Sequence, residues 1–235
     1  MNKLPTQQID GLIDGIAVLQ ELAASKTPIP GVELAARLNL TPTRISRILK
    51  TFAYLGFTHC NSSRKYTIGP AMHVMAAQSM AASGLLRRAF EYLELLSDDY
   101  VTVALAVLWK RKVYYLFHKA GNVKPFEGIG SNLLYNAEIS SPGMALLAEY
   151  SDEMLREIFS ESEYSELRSR IKDVRREGFA LIEREEHYSV AIAIGSPGYA
   201  ALAVTVPKST EMLEKAVAQL RYCVCQIEEK QFHSD

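Results

Sequence analysis

The sequence predicts an α+β protein in two parts: a small helical head ending in a β-hairpin, and a larger body built on an antiparallel sheet with helices on its faces. Three observations carry this. Apolar residues recur at helical spacing up to Leu55, then give way to a short alternating stretch from Phe57 to Ile68. Further on, Val101 to His118 and Tyr188 to Val206 each read as two alternating runs around a turn, with helical runs between and after them. Charge divides the same way. Through Pro70, 8 Lys and Arg stand against 4 Asp and Glu, a net of +4, while the remainder carries 18 against 23, a net of -5.

Composition narrows the class before any motif is read. The chain has 235 residues, 48% of them hydrophobic and 23% charged, the proportions of a globular protein of one or two domains. No run approaches the roughly 20 apolar residues a membrane span needs, and Met1 to Asp10 has a single Lys and no apolar core of a signal peptide. The expectation is a cytoplasmic protein with no membrane partner. Three cysteines, Cys60, Cys223 and Cys225, are too few for a disulfide framework and are expected as reduced thiols.

In the head, Ile9, Leu12, Ile13, Ile16, Leu19, Leu22 and Ala23 mark one amphipathic helix, stopped by Lys26-Thr27-Pro28. A second helix starts near Pro30-Gly31, buries Leu34, Ala35 and Leu38, and ends at Asn39, a residue that tolerates the left-handed conformation. Thr41 then supplies an N-cap and Pro42 the first position of a third helix. That helix runs to about Leu55, is closed by Gly56, and has Ile45, Ile48, Leu49, Phe52 and Leu55 as its apolar stripe. Its other face holds only donors, Thr43, Arg44, Ser46, Arg47, Lys50 and Thr51, and no acid occurs between Thr41 and Thr67. Such a face is either a solvated basic surface or the reading helix of a helix-turn-helix, whose amino end meets base edges and phosphates. Arg44 and Arg47 are the candidates for base contacts, because a guanidinium bonds guanine O6 and N7 together.

The alternating stretch favours the second reading. Phe57 to Cys60, a polar tip Asn61-Ser62-Ser63-Arg64, and Lys65 to Ile68 form a wing whose Arg64 and Lys65 reach toward phosphate or the minor groove. The candidate DNA-binding set is therefore Thr41, Thr43, Arg44, Ser46, Arg47, Lys50, Arg64 and Lys65, with double-stranded DNA as the partner. His59 and Cys60 have no second pair nearby, and no zinc site is expected.

At this point the sequence resembles the IclR family of bacterial transcription regulators. Gly15 to Leu19, Val32 to Leu38, Arg47-Ile48-Leu49 with Leu55-Gly56-Phe57, and Tyr66 to Pro70 carry the likeness in the head; Ser141 to Ala148 and Gly178 through Glu186 carry it in the body. Where the family usually opens its reading helix with Ser/Thr pairs, Thr43 and Arg44 stand here, which implies a different operator. The resemblance implies a winged helix-turn-helix over residues 1–70, a linker helix over 71–84, and a GAF-like effector-binding and oligomerisation domain over 85–235. It also implies a homodimer or homotetramer that answers to a small-molecule effector such as an organic or aromatic acid.

The body's own pattern agrees in outline. Ala71 to Ser83 reads as an Ala- and Met-rich helix packed on something, and Gly84 separates it from a helix carrying Leu85, Leu86, Phe90, Leu93 and Leu96. Two hairpins follow, Val101 to Leu108 with Val113 to His118, and Tyr188 to Gly195 with Tyr199 to Val206. Helices are expected at about Gly143 to Tyr150, Asp152 to Phe159 and Glu163 to Glu177, and from Thr210 to about Lys230. Family positions carried over residue by residue make Ser141, Pro142, Glu183 or Glu185, Ala191, Ala193, Ala203 and Thr205 the effector-binding set. Ala193, Ala203 and the short Ser196-Pro197-Gly198 loop predict a less polar pocket than usual, or simple core packing in its place.

No catalytic motif competes. Gly195-Ser196-Pro197-Gly198 is a turn rather than a nucleophile elbow, Gly128-Ile129-Gly130-Ser131-Asn132 lacks a third glycine and a following helix, and no zincin or P-loop pattern occurs. The histidines, His59, His73, His118, His187 and His233, never fall at ligand spacing, and Glu185-Glu186-His187 reads as a solvated junction. Cys223 and Cys225 lie on different faces of one helix. No enzyme, metal or cofactor is expected. The competing expectation is a winged-helix protein-interaction module with an oligomerising, ligand-free body, whose mark would be apolar residues exposed on the third helix.

Overall fold

The computed structural model describes residues 7–121 and 134–232, so Gly128 to Asn132 and His233 lie outside the described residues. The chain forms two compact units that meet between Ser83 and Gly84.

The first unit contains α1 (Asp10–Ala24), β1 (Ile29–Pro30), α2 (Gly31–Leu38), α3 (Pro42–Tyr54), β2 (Thr58–Cys60), β3 (Lys65–Ile68) and α4 (Pro70–Ser83). Asn39 ends α2 in the left-handed conformation at φ 52°, and Thr41 caps α3 by accepting a hydrogen bond from Arg44 N at 3.3 Å. The wing gains a strand the sequence reading lacked: β1 pairs with β3, giving an antiparallel order β1-β3-β2. Val18, Leu22, Ile29, Leu34, Ala35, Ile45 and Leu49 form the core. The buried Thr58 hydroxyl donates to Leu49 O and ties the wing to α3.

One expectation about α1 is met only in part. Of its predicted stripe Leu22 is buried and Leu19 half-buried, but Ile9, Leu12, Ile13, Ile16 and Ala23 are exposed, Leu12 by 61% and Ile16 by 51%, while Gly15 and Val18 are buried. The cause is size. A Cβ at Gly15 would stand 3.1 Å from the Phe52 ring, so α3 approaches α1 along its smallest residue, and the larger apolar side chains turn away. Likewise Leu55, expected in the buried stripe of α3, is exposed.

The second unit contains α5 (Leu85–Asp99), β4 (Thr102–Trp109), β5 (Lys112–Ala120), β6 (Leu134–Asn136), a 3-10 turn (Ala137–Ile139), α6 (Ser141–Ala148), α7 (Asp152–Ile158), α8 (Glu161–Glu177), β7 (Ala180–Glu183), β8 (His187–Ile194), β9 (Ala200–Pro207) and α9 (Thr210–Phe232). The strands make one antiparallel sheet in the order β6-β5-β4-β9-β8-β7. Strand alternation assigns its faces. Val103, Leu105, Phe117, Val190, Ile192, Leu202 and Val204 pack with α5 and α9, whereas Ala104, Ala106, Ala191, Ala201 and Ala203 face α6 and α8. Alanines let α6 settle closely, and all eight of its residues are buried. This is an α+β layered body, as expected.

Two local devices shape the second unit. Ser160 and Glu163 form a reciprocal capping box, so α8 begins at Glu161 rather than at the expected Glu163. Arg111 then grips Glu163 at 2.8 Å and Glu138 at 3.2 Å and stacks 4.4 Å above the Phe159 ring. Cys223 is buried, which pushes its thiol up to about 11, while Cys60 and Cys225 are exposed.

Candidate nucleic-acid interface and ligand pocket

The first site is the amino end of α3 with the wing. Thr41, Thr43, Arg44, Ser46, Arg47 and Lys50 are all exposed, on a helix with no acidic residue. At the wing tip, Asn61 Oδ1 accepts hydrogen bonds from Ser63 N and Lys65 N, each at 3.0 Å, and Arg64 adopts φ 56°. This side-chain turn holds Arg64 and Lys65 exposed at the end of the hairpin. Arg47, Lys50, Arg64 and Lys65 make no ion pair among the described residues, so their charges are available to an external anion. Arg44 differs from them, because its Nε pairs with Asp14 on α1.

α1, α3 and α4 enclose an open, mainly apolar groove of about 1060 Å³, lined by Leu12, Ile16, Leu19, Ile48, Phe52, Met72 and Met75, and Thr41, Thr43, Arg44 and Arg47 of the candidate face also line it. No residue of α4 is buried, and Tyr54 at the end of α3 is 90% exposed. Exposed apolar patches on this scale are where proteins commonly meet a partner or a ligand.

The second site is a pocket of about 190 Å³ in the second unit, at the edge where α6 begins. Ser140 caps α6 by accepting from Gly143 N at 3.2 Å, and a Cβ at Gly143 would fall 2.3 Å from Ala137 O, so only glycine lets the 3-10 turn close against the helix. That closure sets Ser140, Ser141 and Pro142 in the wall. Ser141 Oγ lies 2.7 Å from Ser189 Oγ. Tyr115, Tyr135 and His118 form an aromatic side, with ring centroids 5.9 and 5.1 Å apart about Tyr115. Burial pushes the Tyr115 phenol up to about 12 and holds His118 below its ordinary value. The lining also includes Thr102, Thr205, His187 and Arg184, whose guanidinium donates to Ile139 O at 2.8 Å.

Of the expected effector set, Ser141, Pro142, Ala203 and Thr205 line this pocket. Glu183, Glu185, Ala191 and Ala193 do not. The reason is strand parity: Ile182 and Ser189 pair in register and face the pocket, so Glu183 points the other way and pairs with Lys208. Glu185 is exposed, Ala191 lies in the core beside α6, and Ala193 packs toward Gly198 and that same core. The pocket is accordingly more polar than the alanines imply, because hydroxyls, imidazoles and Arg184 supply what they lack. The residues missed, Tyr115, His118, Arg184, His187 and Ser189, carried only one signal in sequence, the alternation of the strands they end or occupy.

Among the described residues no three His, Cys, Asp or Glu side chains gather as a metal site would require, and no helix is long and apolar enough to cross a membrane.

A winged three-helix head followed by a six-stranded body with a pocket at the start of α6 is a recognisable architecture. It is the fold of the IclR-type regulators. The chain superposes on an IclR regulator described as putative from a Silicibacter species with a TM-score of 0.80, at 20% identity over 94% of this chain and 95% of that one. An IclR family regulator from Brucella abortus gives 0.75, at 20% identity over 98% and 95%. An IclR homolog from Microbacterium hydrocarbonoxydans, solved as a complex with 4-hydroxybenzoate, gives 0.68, at 20% identity over 93% and 98%. No family model matches the chain, and no curated protein does.

Proposed function

We propose that the protein is a sequence-specific DNA-binding transcription regulator of the IclR type, acting on cytoplasmic DNA, whose operator affinity is set by a small organic or aromatic acid bound in the second unit. The observation that carries this is the acid-free run of exposed donors over the first turns of α3, joined to a cationic wing tip. A duplex offers phosphates to Lys50, Arg64 and Lys65 and base edges to Thr43, Arg44, Ser46 and Arg47. Thr41 contributes as the cap that fixes where those turns begin.

A second copy of the chain is the natural occupant of the apolar part of the groove, around Ile16, Met72 and Met75, with Thr43, Arg44 and Arg47 of its lining left to the duplex. Helix-turn-helix readers bind paired half-sites as dimers, and α4, with no charged residue and no buried one, needs a partner to leave water. The pocket supports an acid as effector through Arg184 and His187 for a carboxylate and through Tyr115 and Tyr135 for a planar ring. Effector and operator are then linked: a ligand favouring one arrangement of the dimer changes operator affinity by the same free energy.

The test uses the full chain and a pool of random duplexes. Selection should enrich a pseudo-palindromic motif, and 4-hydroxybenzoate, as a trial acid, should change affinity for it. If no motif is enriched and retention on duplex does not fall with salt, the regulator reading is wrong. A second reading has one observation in its favour: Tyr54 and Leu55 stand exposed at the end of α3, as a protein-interaction module would have them. That module needs no salt-sensitive DNA binding and no ligand.

A further inference from the structure

The cations of the reading face do not all stand in the same state. Arg47, Lys50, Arg64 and Lys65 extend from it without an ion pair among the described residues, but the Arg44 Nε is paired with Asp14 of α1. The Asp14 side chain is 18% exposed, its Oδ2 is closed off from solvent, and that oxygen makes no hydrogen bond of ordinary geometry among the described residues; Arg44 is its charge partner. The Arg44 side chain itself remains 43% exposed, and neither of its Nη atoms has a hydrogen-bond partner among the described residues.

We infer that Asp14 is a positioning residue for sequence reading: it grips Arg44 by Nε, so that the end-on pair Nη1 and Nη2 is held outward as a fixed fork for one guanine. The inference rests on the DNA reading proposed above. Two physical consequences distinguish Arg44 from its neighbours. A flexible side chain loses rotamer entropy on meeting a base, and a grip made before binding removes that loss at this one position. The carboxylate also cancels the Arg44 charge, so this residue adds base discrimination without adding to the general attraction for phosphate. A carboxylate left bare at the amino end of α3 would instead repel the duplex.

The experiment is selection from random duplexes with the full chain, native and as Asp14→Asn, Arg44→Lys and the double variant, together with the salt dependence of binding to an unselected duplex. Asp14→Asn should lower the preference for one guanine by about tenfold and leave the other positions of the motif unchanged. Binding to the unselected duplex should hold or strengthen, with a salt slope steeper by about one, because a cation has been released. Arg44→Lys should lose the same guanine, and adding Asp14→Asn to it should take nothing further from that position. Asp14→Glu covers the case in which the amide variant unfolds: it keeps the charge and shifts the fork, so guanine preference falls while the salt slope stays. An undiminished guanine in either Asp14 variant, or weaker binding of the unselected duplex by a folded Asp14→Asn, overturns the inference while leaving the regulator reading intact. A native chain that enriches no motif overturns the inference, and the regulator reading falls with it when retention on duplex is also insensitive to salt.

Discussion

The hydroxyls of Ser141 and Ser189, 2.7 Å apart, join the first residue of α6 to β8 in the lining of the pocket. Ser141 is buried, so its hydroxyl has little access to water as a substitute partner. Ser141→Ala and Ser189→Ala should each lower stability by about 1 kcal/mol, and the double variant by less than the sum. Urea midpoints of the three variants measure this. Additive losses would mean the hydroxyls do not depend on one another.

Glu163 gives the second unit a defined acid response. The Ser160 backbone amide in the capping box, and after it Arg111, hold its carboxyl at about 2 against an ordinary 4.5. A depressed folded value means the contribution is full above about 4.5 and is lost as pH falls toward 2. The melting temperature of the native chain should exceed that of Glu163→Gln at neutral pH, and the gap should close through that window. A gap that persists at the acid end would show that the charge on Glu163 is not what supports α8.

At the wing, Asn61 shapes the tip while Arg64 and Lys65 supply its charge. Arg64→Ala should flatten the salt dependence of duplex binding by about one and weaken all sequences alike, and Lys50→Ala should do the same from α3. Asn61→Ala should lower affinity several-fold without altering the selected motif, since it loosens the hairpin and touches no base. Fluorescence anisotropy against selected and unselected duplexes reads all three, and a change in base preference for any of them would reassign that residue.

Ile16 stands on the exposed face of α1 that lines the apolar groove. Ile16→Glu places a charge there without disturbing the core of Val18 and Leu22 behind it. On the proposed pairing of two copies through this groove, sedimentation should show a native dimer and an Ile16→Glu monomer, with little change in melting temperature. An Ile16→Glu chain that stays dimeric would move the contact between copies elsewhere.

How much of this was legible depends on the kind of signal. α3 could be read to the residue at its start because Thr41 and Pro42 act locally, through a cap and a fixed backbone angle. The turn at Asn39 and the helix stop at Gly178, both left-handed, were legible for the same reason. Short edge strands were not. β1, β6 and β7 have two to four residues each and are defined by their neighbours in the sheet rather than by their own pattern. The direction of α1 was also hidden: seven apolar positions span more than one face, and the choice among them fell to Gly15, which a reading by hydrophobicity passes over. In the pocket, small positions such as Ser141 and Thr205 followed from resemblance, but Arg184 and Ser189 required the register of β7 on β8, and one residue of parity separates them from Glu183 and Tyr188.

The three thiols have a practical use. Cys223 is shut inside the second unit with its proton tightly held, whereas Cys60 on the wing and Cys225 on α9 lie open, one on each unit, the latter pushed up by the neighbouring Glu229 carboxylate. The unaltered chain therefore carries two attachment points for a donor and acceptor dye, best coupled in mildly alkaline buffer. An energy-transfer ruler between the two units needs no engineered residue.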